Sequence, residues 1–291
     1  MMERGVAILT NIARLRLASA AQLAALDGGS QQNVGRTLLA LWENGYVERP
    51  EAQAAYRRIL KGSRSLIYGL TRKGARYLRQ HGFDIERSLL DGIDKERGAG
   101  WRFIDHSIGI SDFFVKLELA ARGRKDLRVL ERAEILEDAP DGAKLQRIRL
   151  QARIPLGQAH RTCGVIPDGF FGLHFLADET ESYFMYEKDR GEMPVMRYRN
   201  QYGTYVAKKL LTYYEANRQR KHEELGIPNF RVLVETTTPD RVEQMLQAVE
   251  EFTAGRGSNI FLFTHEAAFA ASNPLDLEWV SGKKQRVRIA A

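Results

Sequence analysis

The chain has 291 residues, of which 44% are hydrophobic and 28% are charged, a composition typical of globular proteins and unlike that of disordered chains. Its length predicts two domains, and no apolar run approaches the roughly 20 residues that a membrane-spanning helix needs. The N-terminus lacks the layout of a signal peptide and the single cysteine, Cys163, excludes an internal disulfide, so we expect a cytoplasmic protein with no membrane partner.

The first 45 residues predict three helices. The apolar positions of the first helix recur at helical spacing: Val6, Leu9, Ala13 and Leu17. Ser19 and Ser30 are residue types that cap helix N-termini, and they predict a second helix over 20–26 and a third over 31–44. The residues of the third helix that we expect to face the core are Val34, Leu38, Leu41 and Trp42. Gly45 is expected to end it.

A β-hairpin and a final helix are expected to follow. Tyr46–Arg49 and Ser65–Leu70 read as its two strands, and Thr71 can cap a helix that runs to about Gln80. The predicted hairpin tip is basic: Arg57, Arg58, Lys61 and Arg64. With the run Tyr68-x-Leu70-Thr71-x-x-Gly74, residues 1–82 resemble a winged helix-turn-helix, in which the third helix reads DNA and the hairpin is the wing.

The charge of these residues agrees with contact to DNA. Residues 1–82 hold 13 Lys and Arg against 5 Asp and Glu, a net charge of +8, while the whole chain carries +7. The start of the third helix offers residue types that read base edges: Gln31, Gln32, Asn33 and Arg36. The basic residues of the hairpin tip would contact phosphates or a minor groove. Simple solvation of Gln31 and Gln32 is the alternative.

A linker is predicted over 83–102, where charged residues and glycines occur without clear periodicity. A helix over 104–121 and a strand over 127–136 then begin a second domain, 103–291, followed by an irregular basic stretch over 141–162.

Three acidic residues lie in the most informative part of this second domain. Two strand-like runs flank the turn 177–180, with Asp168 on the first run and Glu187 and Asp189 on the second. If the runs pair, Asp168 lies opposite Glu187, and Glu187 and Asp189 share one face of the sheet. Three converging carboxylates repel each other, and a bound divalent cation commonly offsets such repulsion. The metal ligands we expect are therefore Asp168, Glu187 and Asp189. The alternative is an ordinary solvent-facing set of acids.

Pro167-Asp168 followed by Glu187-Lys188-Asp189 resembles the motif of restriction-endonuclease-like nucleases, which is Pro-Asp, a hairpin and then Asp/Glu-x-Lys. The sequence departs from it, because Asp189 takes the position of the motif lysine. Lys188, the basic residue next to Glu187, is a candidate catalytic residue together with the three acids. Strand alternation, however, puts Lys188 and Arg190 on the opposite face of the sheet from Glu187.

The remaining elements complete an α/β core. We predict a long helix over 198–225, a strand over 230–236, a helix over 239–252 and a strand over 259–265. With the elements before them, their order matches a restriction-endonuclease-like, or PD-(D/E)xK-like, core. The predicted fold class is therefore α+β, with an N-terminal winged helix-turn-helix followed by this nuclease-like core.

The combination resembles the replication-relaxation family of plasmid and mobile-element proteins, one branch of which is the MobC-type relaxases. The residues that carry the resemblance are His106, Pro167-Asp168, Glu187 to Gly191, Lys208/Lys209 and Tyr213/Tyr214. The resemblance implies a DNA-binding role in plasmid replication, relaxation or mobilisation.

Two hypotheses follow from these features. In the first, the protein nicks double-stranded DNA with Mg²⁺ or Mn²⁺ held by the acidic residues, and Asp112 or Glu118 completes the site. The missing positive charge would come from one of four residues, between which the sequence does not choose: Lys188, Arg190, Lys208 and Lys209. In the second, the protein is a non-catalytic transcriptional regulator or replication initiator with a degenerate nuclease-like domain. A homodimer is left open.

Overall fold

The computed structural model describes residues 3–59, 65–83, 85, 89–93, 98–140, 144, 147–196 and 205–290. These residues form an α+β fold, which confirms the predicted class, and the chain divides into two compact units. Unit 1 runs to Leu119 and unit 2 begins at Ala120. Within the described part of the chain, no helix is long and apolar enough to cross a bilayer.

Unit 1 combines helices with a small antiparallel sheet in the order β1-β3-β2. The helices are α1 (Glu3–Leu15), α2 (Ala20–Asp27), α3 (Gln31–Glu43), α4 (Gln53–Ile59), α5 (Arg72–Gln80) and α6 (Trp101–Arg122), whose last three residues belong to unit 2. The strands are β1 (Leu17–Ser19), β2 (Val47–Glu48) and β3 (Ile67–Leu70).

The predicted helix caps are present in unit 1. The side chains of Ser19, Ser30 and Thr71 accept hydrogen bonds from backbone N–H groups in the first turns of α2, α3 and α5. The C-terminal end of α3 is followed by Gly45, whose φ of +70° is a left-handed conformation that glycine adopts without strain.

Three details of unit 1 differ from the prediction. Leu17 lies in β1 rather than on the first helix, because the chain turns at Arg16, which has a φ of +67°. Trp42 is 41% exposed rather than inward, since it follows buried Leu41 by about 100° around the helix, and the guanidinium of Arg49 covers its ring at 4.1 Å. The predicted hairpin tip contains α4, which packs through the buried ring of Tyr56.

Helix α6 is part of unit 1, although we predicted it as the first helix of the second domain after a linker. The amide of Gln22 donates to the carbonyl oxygen of Ile108 at 3.2 Å, and the hydroxyl of Ser111 donates to that of Leu17 at 2.6 Å. Val115 belongs to the same buried cluster as the cores of α1, α2 and α3. The apolar face of this helix therefore completes the core of unit 1, and the compact units meet at 119/120 instead of across 83–102.

Unit 2 is built on a seven-stranded mixed sheet in the order β12-β11-β10-β9-β8-β7-β4, with a separate two-stranded sheet formed by β5 and β6. The strands are β4 (Leu127–Leu130), β5 (Leu150–Leu156), β6 (Ala159–Val165), β7 (Gly169–Phe175), β8 (Thr180–Lys188), β9 (Arg231–Thr236), β10 (Phe261–His265), β11 (Trp279–Ser281) and β12 (Arg286–Val287). The helices are α7 (Arg132–Ile135), α8 (Val206–Arg218), α9 (Pro239–Phe252) and α10 (Glu266–Ala270), with a 3₁₀ helix at Lys221–Leu225.

The central strands of unit 2 differ in direction, and helices connect the parallel ones. Strands β7 and β8 are antiparallel, whereas β8, β9 and β10 run parallel to one another, so that α8 and α9 serve as crossovers. The observed bounds of α9 are those predicted, and its N-terminus is capped by Thr238. Part of the long helix predicted over 198–225 lies outside the described residues, and the rest is α8 followed by the 3₁₀ helix.

The stretch 141–162, which we predicted to be irregular, contributes to the hairpin of β5 and β6. Its first strand alternates strictly between buried and exposed residues: Leu150, Ala152, Ile154 and Leu156 are buried. The buried face of β5 packs on the core of unit 2, and this burial fixes the register of the hairpin. The predicted strand 127–136 also ends early, at Leu130, and continues as α7.

Candidate acid site and nucleic-acid interface

Asp168 and Glu187 lie beside each other where β7 begins and β8 ends. The ladder ends at the pair Gly169 and Tyr186, so Asp168 and Glu187 are the residues directly beyond it on the two strands. Its register is the one that the sequence predicted. The N–H of Asp168 donates to the carbonyl oxygen of Tyr186 at 2.9 Å, and Oδ2 of Asp168 accepts from the N–H of Lys188 at 2.9 Å. The hairpin backbone therefore holds the Asp168 carboxylate at this edge.

Both oxygens of Glu187 are bonded by side chains of α8. The residue is only 5% exposed. Lys209 donates to Oε2, and the hydroxyl of Tyr213 donates to Oε1 at 2.5 Å. Lys209 and Tyr213 are four residues apart, which places them on one face of the helix. This face of α8 closes over Glu187 and supplies one positive charge to it.

Burial is the largest influence on the pKa of Glu187. It raises the pKa of Glu187 from 4.5 to about 8, with the neighbouring charge of Asp168 acting in the same direction and Lys209 acting against it. For Lys209, burial opposes the charge, but Glu187 and Asp168 outweigh it and leave the lysine pKa above its ordinary value. Burial also holds the pKa of Tyr213 well above 10. At neutral pH Lys209 is thus charged, and Glu187 is close to its titration range.

Asp189 shares the face of Glu187 but is bonded elsewhere. The guanidinium of Arg241 donates to both of its oxygens, at 2.5 and 3.0 Å, and the hydroxyl of Thr236 donates to Oδ2 at 2.5 Å. Its charge nevertheless contributes to the raised pKa of Lys209. The charges of all three predicted acids therefore act on Lys209, but their oxygens have different partners. Lys209 bonds Glu187, Arg241 bonds Asp189, and the backbone N–H of Lys188 bonds Asp168.

Lys188 belongs to a second polar network on the other face of the sheet, as strand alternation requires. Its ammonium donates to Glu235 at 2.6 Å and to Glu266 at 3.1 Å, and the hydroxyl of Tyr186 donates to Glu235 at 2.7 Å. The structure therefore places this candidate catalytic residue away from Asp168 and Glu187, with its charge balanced by two glutamates. Lys209 holds the position next to the acids.

These donors do not fit a divalent cation as they are arranged. No group of three His, Cys, Asp or Glu side chains in the described part of the chain could hold a metal ion. Both oxygens of Glu187 already accept hydrogen bonds, one of them from a cation. Hard divalent ions take six or more oxygen ligands, and in this arrangement the oxygens of Glu187 are occupied by Lys209 and Tyr213. Cation binding by Asp168, Glu187 and Asp189 stays a prediction.

The two acids expected to complete the site lie on the part of α6 that belongs to unit 1. Oδ1 of Asp112 accepts from the amide of Gln22 at 2.5 Å, and Glu118 forms an ion pair with Arg14. Both carboxylates thus connect α6 to the first two helices.

Unit 1 exposes the predicted base-reading residues. All four are solvent-exposed in the first turns of α3: Gln31, Gln32, Asn33 and Arg36. Arg57 and Arg58 lie in α4, and their side chains are not described; Lys61 and Arg64 lie outside the described residues. Their roles remain predictions.

The sequence did not single out several polar residues of these networks. Glu235 and Thr236 lie at the end of a predicted strand, and Arg241 lies in the first turn of a predicted helix, with no motif to mark them. The spacing of Lys209 and Tyr213 was visible, but which face of their helix met β8 was not. The arginines of α5, which are treated below, carried a signal in their i, i+4 and i+7 spacing.

The fold and site therefore define an α+β protein with a basic N-terminal unit and a buried acid–lysine cluster on a mixed sheet. The replication-relaxation family matches residues 9–225, most of the chain, and the protein belongs to this family. No curated protein matches the sequence, and no solved structure matches it. Membership suggests a role in the replication or mobilisation of mobile elements.

Proposed function

We propose that the protein binds double-stranded DNA through unit 1 and acts in the replication, relaxation or mobilisation of a plasmid or another mobile element. The observation that carries this proposal is the exposed polar start of α3, with Gln31, Gln32, Asn33 and Arg36, in a region of net charge +8. These side chains can donate to and accept from base edges, while the surrounding positive charge attracts the phosphate backbone.

The arrangement of unit 1 supports a winged helix-turn-helix. Helices α2 and α3 are joined by the short turn 28–30, and β2 and β3 form an antiparallel pair after α3. The buried face of α3 is anchored by Val34, Leu38 and Leu41. This anchoring fixes the opposite face of the helix toward solvent, as a recognition helix requires.

Selection of sequences from a randomised duplex pool tests the proposal. The full-length protein is expected to enrich a defined motif, and Arg36→Ala is expected to lose discrimination at one position by about 5- to 150-fold. Thr37→Ala, one residue further along α3, is the matched control. A protein that binds no duplex at low salt, or a variant that selects the same motif as the wild type, would contradict this role for α3.

Metal-dependent DNA nicking is the second candidate function. It is supported by the succession β4, β7, β8, α8 and β9 along unit 2, which agrees with the three strands, helix and strand of a restriction-endonuclease-like core. It is also supported by Asp168, Glu187 and Lys209, which lie at one edge of the sheet. Lys209 would then supply the positive charge that the motif lysine supplies in such nucleases. The closed contacts of Glu187 favour the alternative, a DNA-binding regulator or initiator that does not cleave.

Incubation with supercoiled plasmid separates these two candidates. A nickase should relax the plasmid in Mg²⁺ or Mn²⁺ and lose this activity in Glu187→Gln while its affinity for duplex DNA is retained. A regulator should leave the plasmid supercoiled at every metal concentration. Glu243→Gln, at an exposed position of α9, controls for the change of charge.

A further inference from the structure

Helix α5 presents a row of arginines to solvent. Arg72, Arg76 and Arg79 follow one another at i, i+4 and i+7, so they share one face, while Gly74, Ala75 and Leu78 form the buried face. All three arginines are exposed. Together with Gln80 and Leu90 they line an open pocket of about 520 Å³. We call these three arginines the α5 arginine face.

Two of these arginines have charges that the fold of unit 1 does not balance. Arg76 and Arg79 form no ion pair with an acid in the described part of the chain. The first turn of α5 contains no acidic residue and begins with Arg72 and Lys73, where the positive end of the helix dipole disfavours cations. Like charges four residues apart also destabilise a helix. A bound anion would relieve both forms of repulsion.

We propose that the α5 arginine face binds backbone phosphates of duplex DNA, at a surface separate from the exposed start of α3. Guanidinium groups match phosphate oxygens bidentately, and the three arginines extend over about 10 Å of helix. Each DNA strand has a phosphate about every 3.4 Å along the duplex axis, so about three phosphates of one strand fall within that axial distance. The inference rests on the proposed DNA binding of unit 1.

The separation of the two surfaces follows from contacts within unit 1. The ammonium of Lys73 donates to the carbonyl oxygen of Asn44 at 2.8 Å, and the N–H of Thr71 donates to that of Tyr46 at 3.1 Å. The start of α5 is therefore next to the end of α3. Gln31 lies at the other end of that 13-residue helix, about 20 Å away along its axis. The phosphates bound by α5 therefore belong to a different stretch of duplex, or to a second one.

The salt dependence of binding to a 40-base-pair duplex of random sequence tests the inference. The variant replaces Arg72, Arg76 and Arg79 by Gln in the full-length protein. Since each phosphate contact contributes about 0.9 to the slope of log K against log salt, the slope should become less steep by about 2 to 3. The matched control removes the same charge from three exposed arginines that form ion pairs in unit 2: Arg218, Arg220 and Arg286.

Each outcome decides the inference. A slope in the triple variant equal to that of the control would overturn it, even if Arg36→Ala still alters sequence selection and the proposed function stands. Absence of any duplex binding by the wild type would overturn both. The pair Arg76→Lys and Arg79→Lys should preserve the slope. The triple variant should melt no lower than the wild type, because it removes like-charge repulsion, so misfolding would not mimic lost binding.

Discussion

The acid–lysine cluster of unit 2 and the α5 arginine face of unit 1 use charge in opposite ways. In unit 2, Glu187 is buried and its two oxygens are bonded by Lys209 and Tyr213, so its hydrogen-bonding capacity is satisfied inside the protein. In unit 1, Arg76 and Arg79 are exposed and have no ion-pair partner among the described residues. Buried polar and charged groups need a partner within the protein, whereas exposed cations are solvated and can bind an anion from outside it.

This difference predicts what substitution should do in each place. Changes in the acid–lysine cluster should alter the stability of the fold and its dependence on pH. Changes on the arginine face should alter binding and leave stability almost unchanged.

The largest expected effect is the pH dependence caused by Glu187. Its folded pKa of about 8 lies above the ordinary 4.5, so between these values the folded state holds a proton that the unfolded state has lost. The stability that this proton contributes is complete below about pH 4.5 and is lost as pH rises through about 8, a change on the order of a few kcal/mol. Hydrogen exchange in peptides that cover β8, divided by the intrinsic exchange rate at each pH, should therefore accelerate over this range.

Glu187→Gln should remove that acceleration, because its amide does not titrate. Glu243→Gln, the exposed control on α9, should retain it. An identical pH profile in wild type and Glu187→Gln would show that the glutamate is not titrating in this range.

Gly74 gives the next largest effect, since it sets the position of the helix that carries the arginine face. A Cβ at this residue would overlap the carbonyl oxygen of Tyr46. Gly74→Ala should therefore cost about 1–3 kcal/mol, measured by urea unfolding. At Gly35, in the interior of α3, a Cβ would meet nothing within 4 Å, so Gly35→Ala should stabilise by about 0.5–1 kcal/mol. Equal effects at the two glycines would contradict the close approach at Tyr46.

A smaller effect concerns divalent cations. Lys209 holds an oxygen of Glu187, so a cation must compete with it for the acidic residues. Mg²⁺ or Mn²⁺ should therefore raise the melting temperature of Lys209→Met more than that of the wild type. Lys208→Met, at the adjacent position, serves as the control. A shift that is larger in the wild type would mean that Lys209 assists cation binding instead of competing with it.

The smallest effect is expected at the arginine face itself. Arg76→Gln should change the free energy of unfolding by no more than about 0.5 kcal/mol, as is usual for exposed residues outside special contacts. A decrease of several kcal/mol in the free energy of unfolding, measured with urea, would show that Arg76 stabilises the fold and is not available to bind an anion.

The sequence predicted those elements whose signals are local. Ser19, Ser30 and Thr71 cap the helices expected of them, and the positions of Asp168 and Glu187 about the turn predicted their register. These features depend on neighbouring residues or on counting along two paired strands.

Features that depend on tertiary packing were harder to predict. The periodicity of α6 showed a helix but not which unit its apolar face would join. The alternating apolar residues Leu150, Ala152, Ile154 and Leu156 are a strand signal in the sequence. The basic residues around them led to the prediction of an irregular stretch instead. The sequence did not show that Lys209, and not Lys188, lies next to Glu187. That depends on which face of α8 packs over β8, and the spacing of residues within α8 or β8 does not determine it.

Hydrogen exchange of the full-length protein, measured with and without duplex DNA, locates the DNA-binding surface. We expect slower exchange in peptides from the start of α3 and from α5, with no change in peptides from α9, β11 and β12. Protection confined to peptides of unit 2, with α3 and α5 unchanged, would contradict the assignment of DNA binding to unit 1.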